Sequence, residues 1–243
     1  MSIARLSYTA LLQKRICELP LKLETSPLQA CVNQLYRELQ RKGLRFFRPE
    51  VYLGDEWFSP SGVPAISIPF YLAHPKLMAL EKRTMGMVEG DTRKEFMQLL
   101  RHEAGHSFEH AYSIKKGREW QALFGNPSRK YTPSLYEIEE HSTDFVSNLR
   151  DCYAQAHPDE DFAETFAVWL NPAVDWKREY RSWPGAYAKL QFIEGLVEKY
   201  GNTLPVVNGG RKLGEAKRLR SHLSRYYRKK QLEDARLLQG IAS

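Results

Sequence analysis

Apolar residues recur at three- and four-residue steps at Leu28, Val32, Leu35, Tyr36 and Leu39, and Gly43 closes the run, which predicts a helix. Between residues 44 and 71 the helical spacing gives way to short apolar runs. Phe46, Phe47, Val51, Tyr52 and Leu53, then Ile66, Ile68 and Phe70, are cut by Gly54, Pro60, Gly62 and Pro64, which predicts short strands and turns. Pro69 cannot donate to a ladder, so residues 64–71 are expected to form an edge strand open to a guest peptide. Helical spacing returns after Thr92, which stands three residues before Glu95 at capping distance. Phe96, Leu99, Leu100, Ala104 and Phe108 then give a buried helix from about 92 to 112. Residues 115–134, with Gly117, Gly125, Pro127 and Pro133, read as irregular. Pro158 opens a second amphipathic helix on Phe162, Ala163, Phe166, Ala167 and Leu170, ended by Pro172, and residues 189–200 form another. A linker containing Pro205 and the pair Gly209-Gly210 divides the expected organisation into a domain of residues 1–205 and an extension of residues 206–243.

Composition narrows the class. With 243 residues, 42% of them hydrophobic and 27% charged, the chain is long enough for a sizeable core and is not mainly disordered. Cys17, Cys31 and Cys152 are too few, and odd in number, for a disulfide framework, which favours a reducing compartment. Gln13, Lys14 and Arg15 interrupt the first apolar stretch, and no run reaches the roughly 18 to 20 apolar residues of a membrane span, so a cytoplasmic location is expected.

The formal charge of +7 is concentrated between Arg211 and Lys230, where nine Lys or Arg face the single acid Glu215. The rest of the chain is close to neutral. Leu213, Ala216, Leu219, Leu223 and Tyr226 follow a helical stripe through this segment, predicting a basic amphipathic helix. Its stripe either packs on the body or serves an interaction surface for nucleic acid or an acidic partner.

The candidate chemistry lies in the helix after Thr92. His102-Glu103-Ala104-Gly105-His106 sets two imidazoles four residues apart, about 40° from eclipse on a helix, so both point the same way and can grip one metal ion. Glu103 sits beside that row, within reach of a metal-held water, as a general base requires. A catalytic zinc site needs a third protein ligand. The metzincin pattern would place glycine at 109 and histidine at 112, but Glu109 and Tyr112 stand there, and His110 on the same straight helix is a bystander. Glu160 and Glu164, one turn apart on the second helix, are the better source: one binds metal while the other supports a ligand histidine. His74, His141 and His157 are expected to be structural, and Cys152 has no identifiable histidine partner.

The pairing of His102-Glu103 and His106 with Glu160-Asp161-Phe162-Ala163-Glu164 resembles the gluzincin metallopeptidases, among them thermolysin and the catalytic domain of anthrax lethal factor. That resemblance implies Glu160 as the third zinc ligand and Glu164 as the carboxylate that orients a histidine. It also implies that Tyr153, seven residues before Glu160, faces the reacting carbonyl. Together with Pro69-Phe70-Tyr71-Leu72-Ala73-His74-Pro75, these blocks are similar to a bacterial group named putative zinc-binding metallopeptidases, over about residues 40 to 175.

The expectation is therefore an α+β, zincin-like domain with a small sheet over the His102–His106 helix and a mostly helical second half. One Zn²⁺ per chain would be held by His102, His106 and Glu160, and a peptide substrate would be hydrolysed with Glu103 as base and Tyr153 on the carbonyl. The alternative is a non-catalytic zinc-containing module that binds nucleic acid or an acidic partner through its basic C-terminal helix.

Overall fold

The helix expected from Leu28 to Leu39 forms because its apolar stripe packs into the core: Leu28, Cys31, Val32, Leu35 and Leu39 are buried along one face, with Tyr36 partly buried at its margin. The computed structural model describes residues 2–131 and 136–241, so the end of the stretch read as irregular, residues 132–135, lies outside the described residues. In chain order the elements are α1 (Tyr8–Leu12), α2 (Leu28–Arg41), β1 (Glu50–Gly54), β2 (Ala65–Pro69), α3 (Pro75–Met85), α4 (Arg93–Tyr112), α5 (Arg118–Phe124), α6 (Pro158–Leu170), α7 (Trp176–Glu179), α8 (Pro184–Tyr200) and α9 (Leu223–Ile241). The class is α+β, with a two-stranded parallel sheet and a mostly helical second half.

The core is built on α4. Helix α6 lies along one of its flanks, β2 and α2 touch others, and α8 backs α6 from behind. Phe108 meets Phe166 at 5.2 Å between ring centroids and Phe47 in an edge-to-face contact, so one aromatic layer joins α4, α6 and the approach to β1. Among the described residues, no helix is long and apolar enough to cross a membrane.

Three expectations are corrected. Strand β2 is an edge of the two-stranded sheet but not an open one: β1 pairs with it in parallel on one side, with Val51 opposite Ile66, and on the other its Ser67 amide donates to the Phe58 carbonyl at 2.8 Å in a single bridge. Pro69 is accommodated because it is the last residue of the strand, and all five strand residues are buried. Within the stretch read as irregular, residues 118–124 form helix α5, whose Trp120 and Phe124 pack on Phe162 of α6 and outweigh the flanking glycines. The basic C-terminal segment becomes an α-helix only at Leu223; the preceding stretch is irregular, with one 3-10 turn at Ala216–Arg218, and is tied to the N-terminal segment by Ile16 N donating to Ser221 O and Cys17 N to Leu219 O. Leu223 and Tyr227 are buried in the common core.

Candidate active site

Helix α4 starts where Thr92 caps it, its hydroxyl accepting from the Glu95 amide at 3.2 Å. Its middle is buried although it carries Arg101, His102, Glu103 and Glu109, so each of these polar groups needs a partner. Arg101 finds one on the α2 side, donating through two nitrogens to both oxygens of Glu38 at 2.8 Å. His102 and His106 turn to the opposite side, toward α6.

Helix α6 is started by His157, whose Nδ1 accepts from the Asp159 amide at 3.1 Å, followed by Pro158 where its missing N–H costs nothing. His74 caps α3 in the same way through the Lys76 amide. The two helices approach closely at Gly105, where an added Cβ would lie 2.8 Å from the Ala163 Cα. The glycine inside the histidine motif is thus a packing requirement, and it brings the first turn of α6 within reach of the imidazoles.

The Nε2 atoms of His102 and His106 lie 3.1 Å apart, and Glu160 Oε2 lies 3.1 Å from each. Among the described residues this is the metal-competent cluster, with one donor atom from each residue and all of them within 4.8 Å of one another. Behind it, His102 Nδ1 is 2.8 Å from Glu164 Oε1. Glu164 also accepts from Asn148 Nδ2 and from the Leu149 amide, each at 2.8 Å, and is wholly buried. With Glu164 accepting a hydrogen bond from Nδ1–H, the neutral form of His102 is held in the tautomer that presents the lone pair of Nε2 to the cluster. Two imidazole nitrogens and a carboxylate oxygen converging in this way fit a divalent cation of the zinc type.

Electrostatics follow from this packing. Burial works against the charged form of His102, but hydrogen bonds to Glu160 and Glu164 outweigh it and raise its pKa well above the usual value. His106 is raised in the same sense, Glu160 overcoming burial. Glu160, despite its own burial, is held far below the carboxylate range by the two imidazoles. Burial pushes Glu103 upward, against the pull of His102 and His106, and its Oε2 is buried without a hydrogen-bond partner.

Two cavities of about 790 and 450 Å³ meet at this cluster. Trp57, His102, Glu103 and Tyr153 line both. Trp57, Phe58 and Ser59 form one wall of the smaller cavity, which also takes in His110, Tyr131 and Glu160. Tyr153, with its ring centroid 5.7 Å from that of His102, exchanges a 2.6 Å hydrogen bond with the Tyr131 hydroxyl. Burial pushes the Tyr131 phenol up to about 12 and raises Tyr153 further.

The fold therefore gathers His102, Glu103, His106, Tyr153, Glu160 and Glu164 in one place. His110 is engaged by Glu109 at 2.8 Å instead, His141 is exposed, and Cys152 is exposed on a left-handed turn. Tyr131, Asn148 and Leu149 were not singled out in the sequence. Their only signal was position, in polar stretches that precede the Pro158 helix without periodicity.

Residues 78–196, close to half of the chain, match the model of the family described as Putative zinc-binding metallo-peptidase. No curated protein and no solved structure matches the chain.

Proposed function

We propose that this chain, whose residues 78–196 belong to the zinc-binding metallo-peptidase family, is a zinc-dependent endopeptidase of the gluzincin type with a zincin-like catalytic domain. The observation that carries the reading is the convergence of His102 Nε2, His106 Nε2 and Glu160 Oε2 at 3.1 Å beside the unpartnered Glu103 Oε2. His102, His106 and Glu160 would hold one zinc ion, which would supply Lewis acidity toward the substrate carbonyl and toward water.

The chain's own groups do the rest. Glu164 keeps the Nδ1 proton of His102 in place, so the imidazole neither rotates nor changes tautomer. Glu103, buried and with one oxygen free, takes a proton from the attacking water and returns it to the leaving amine nitrogen. In the Tyr131–Tyr153 pair one phenol donates to the other, which leaves the acceptor's own proton available for the oxygen of the scissile carbonyl. The wall made by residues 57–59 receives the peptide alongside.

The test is elemental analysis of the purified full chain, with cleavage of a diverse peptide mixture recorded on the same sample. One zinc per chain and new peptides that disappear with 1,10-phenanthroline are expected. Cleavage that is indifferent to the chelator contradicts the reading.

A further inference from the structure

The basic C-terminal helix has no place in the chemistry above, yet it touches the wall of the cleft. Tyr226 of α9 donates its hydroxyl to the Asp55 carbonyl and lies equally close, 3.0 Å, to Glu56 Oε1. One turn further on, Lys230 Nζ is 3.2 Å from Glu56 Oε1 and donates to Glu81 Oε1 of α3 at 2.9 Å. Glu81 is buried, and the ammonium lies 5.1 Å from the Tyr71 ring centroid, so the Lys230–Glu81 pair is an interior anchor from which the same ammonium reaches out to the half-exposed Glu56 carboxylate.

What the anchor holds is the residue before Trp57. The Glu56 carbonyl accepts from Ser67 Oγ at 2.7 Å, and the next carbonyl but one, that of Phe58, accepts the Ser67 amide at 2.8 Å. Residues 57–59 therefore hang between β2 on one side and the anchored Glu56 at their root. Trp57 carries the link onward, packing edge-to-face on Phe96 of α4 at 5.1 Å while its ring lines both cavities.

We infer that Lys230 and Tyr226 are positioning residues for the substrate-receiving wall: helix α9 sets residues 57–59 in register through Glu56, so the C-terminal segment completes the cleft and is not an appended module. The inference rests on the peptidase reading where it speaks of substrate, and on geometry alone where it speaks of the wall. Removing residues 206–243 would strip Leu223 and Tyr227 from the core, so point substitutions carry the test.

The experiment compares full-length wild type with Lys230→Met, Lys230→Arg and Tyr226→Phe. Two quantities are read: amide hydrogen exchange, and kcat and KM on the best-cleaved member of a peptide mixture. In Lys230→Met the Ser67 amide should exchange about tenfold faster or more while the 102–108 stretch of α4 keeps its protection. KM should rise about fivefold or more with kcat and zinc content unchanged, since uniform binding is lost and the chemistry is not touched. Tyr226→Phe, which keeps the ring packed on Phe70, should show the same pattern more weakly, and Lys230→Arg should restore both readouts. Unchanged Ser67 exchange overturns the inference, as does exchange that quickens equally throughout α4. Faster Ser67 exchange with kcat and KM both unchanged also overturns it. If the wild type cleaves nothing, the peptidase reading falls, and the exchange result alone then decides whether α9 positions the wall.

Discussion

Glu164 Oε1 lies 2.8 Å from His102 Nδ1 while Asn148 and the Leu149 amide hold the same carboxylate from the other side. Every partner of this buried group is a donor, so it acts as an acceptor that fixes the imidazole from behind. Glu160, four residues earlier, faces the imidazole nitrogens from the front. The two glutamates should separate cleanly on substitution. Glu160→Ala should leave no stably bound zinc, whereas Glu164→Ala should weaken zinc affinity by about 10- to 100-fold. Competition with a chromophoric chelator measures both; the reverse order of effects would exchange the two roles.

The phenol pair makes a different prediction. Tyr153→Phe should lower kcat by about 10²-fold with zinc content and KM little changed, as for loss of a donor to a developing oxyanion. Tyr131→Phe should cost less, because Tyr153 keeps its hydroxyl but loses its 2.6 Å neighbour. Steady-state kinetics on the two variants decide it, and equal rates for wild type and Tyr153→Phe would remove the tyrosine from the mechanism.

Gly105 separates packing from chemistry. A methyl group there meets the Ala163 backbone at 2.8 Å and Phe166 Cβ at 3.0 Å, and neither is the tip of a flexible chain. Gly105→Ala should therefore destabilise by about 1–3 kcal/mol in spite of the better helix propensity of alanine. The urea midpoint reports it, and zinc affinity should fall too as α6 is pushed off α4. A stabilised variant would mean that the helices separate at no cost.

The loop that supplies Asn148 is anchored by a buried pair. Lys189 of α8 donates to Asp161 Oδ2 at 2.6 Å and to the Asp144 carbonyl at 2.7 Å. Lys189→Met leaves Asp161 buried without its cation and should cost about 3–5 kcal/mol, while Lys189→Met with Asp161→Asn should recover much of it. Denaturant unfolding of the three chains is the check. Equal stability of single and double variants would show the pair to be uncoupled.

What the sequence revealed, and what it hid, follows from where the information lies. Helix α4 was legible because its cap, Thr92, and its apolar row are local, and the spacing of His102 and His106 needs nothing beyond helical geometry. Glu160 and Glu164 were legible as a pair on one face, and the resemblance to a family chose between them. The proline at 69 marked an edge strand, but the sequence hid that this edge is covered: Ser67 is bridged by Phe58, which comes from a stretch too short to show a pattern. Tyr131 and Asn148 reach the site from aperiodic chain by tertiary contact alone. The C-terminal segment read as a basic helix with an apolar stripe through Leu223 and Tyr226, and its inward face also carries Tyr227 and Lys230, which that stripe left out. A lysine that neutralises a buried glutamate has no periodicity to betray it, while Arg225, Arg228 and Lys229 do remain on the exposed face.

The central claim is that Glu103 moves the proton while other residues hold the metal. Zinc content and peptide hydrolysis measured side by side on wild type and Glu103→Gln test it most directly. Glu103→Gln should retain one zinc per chain and lose about 10²-fold or more in kcat. Hydrolysis at the wild-type rate with zinc in place would contradict the account.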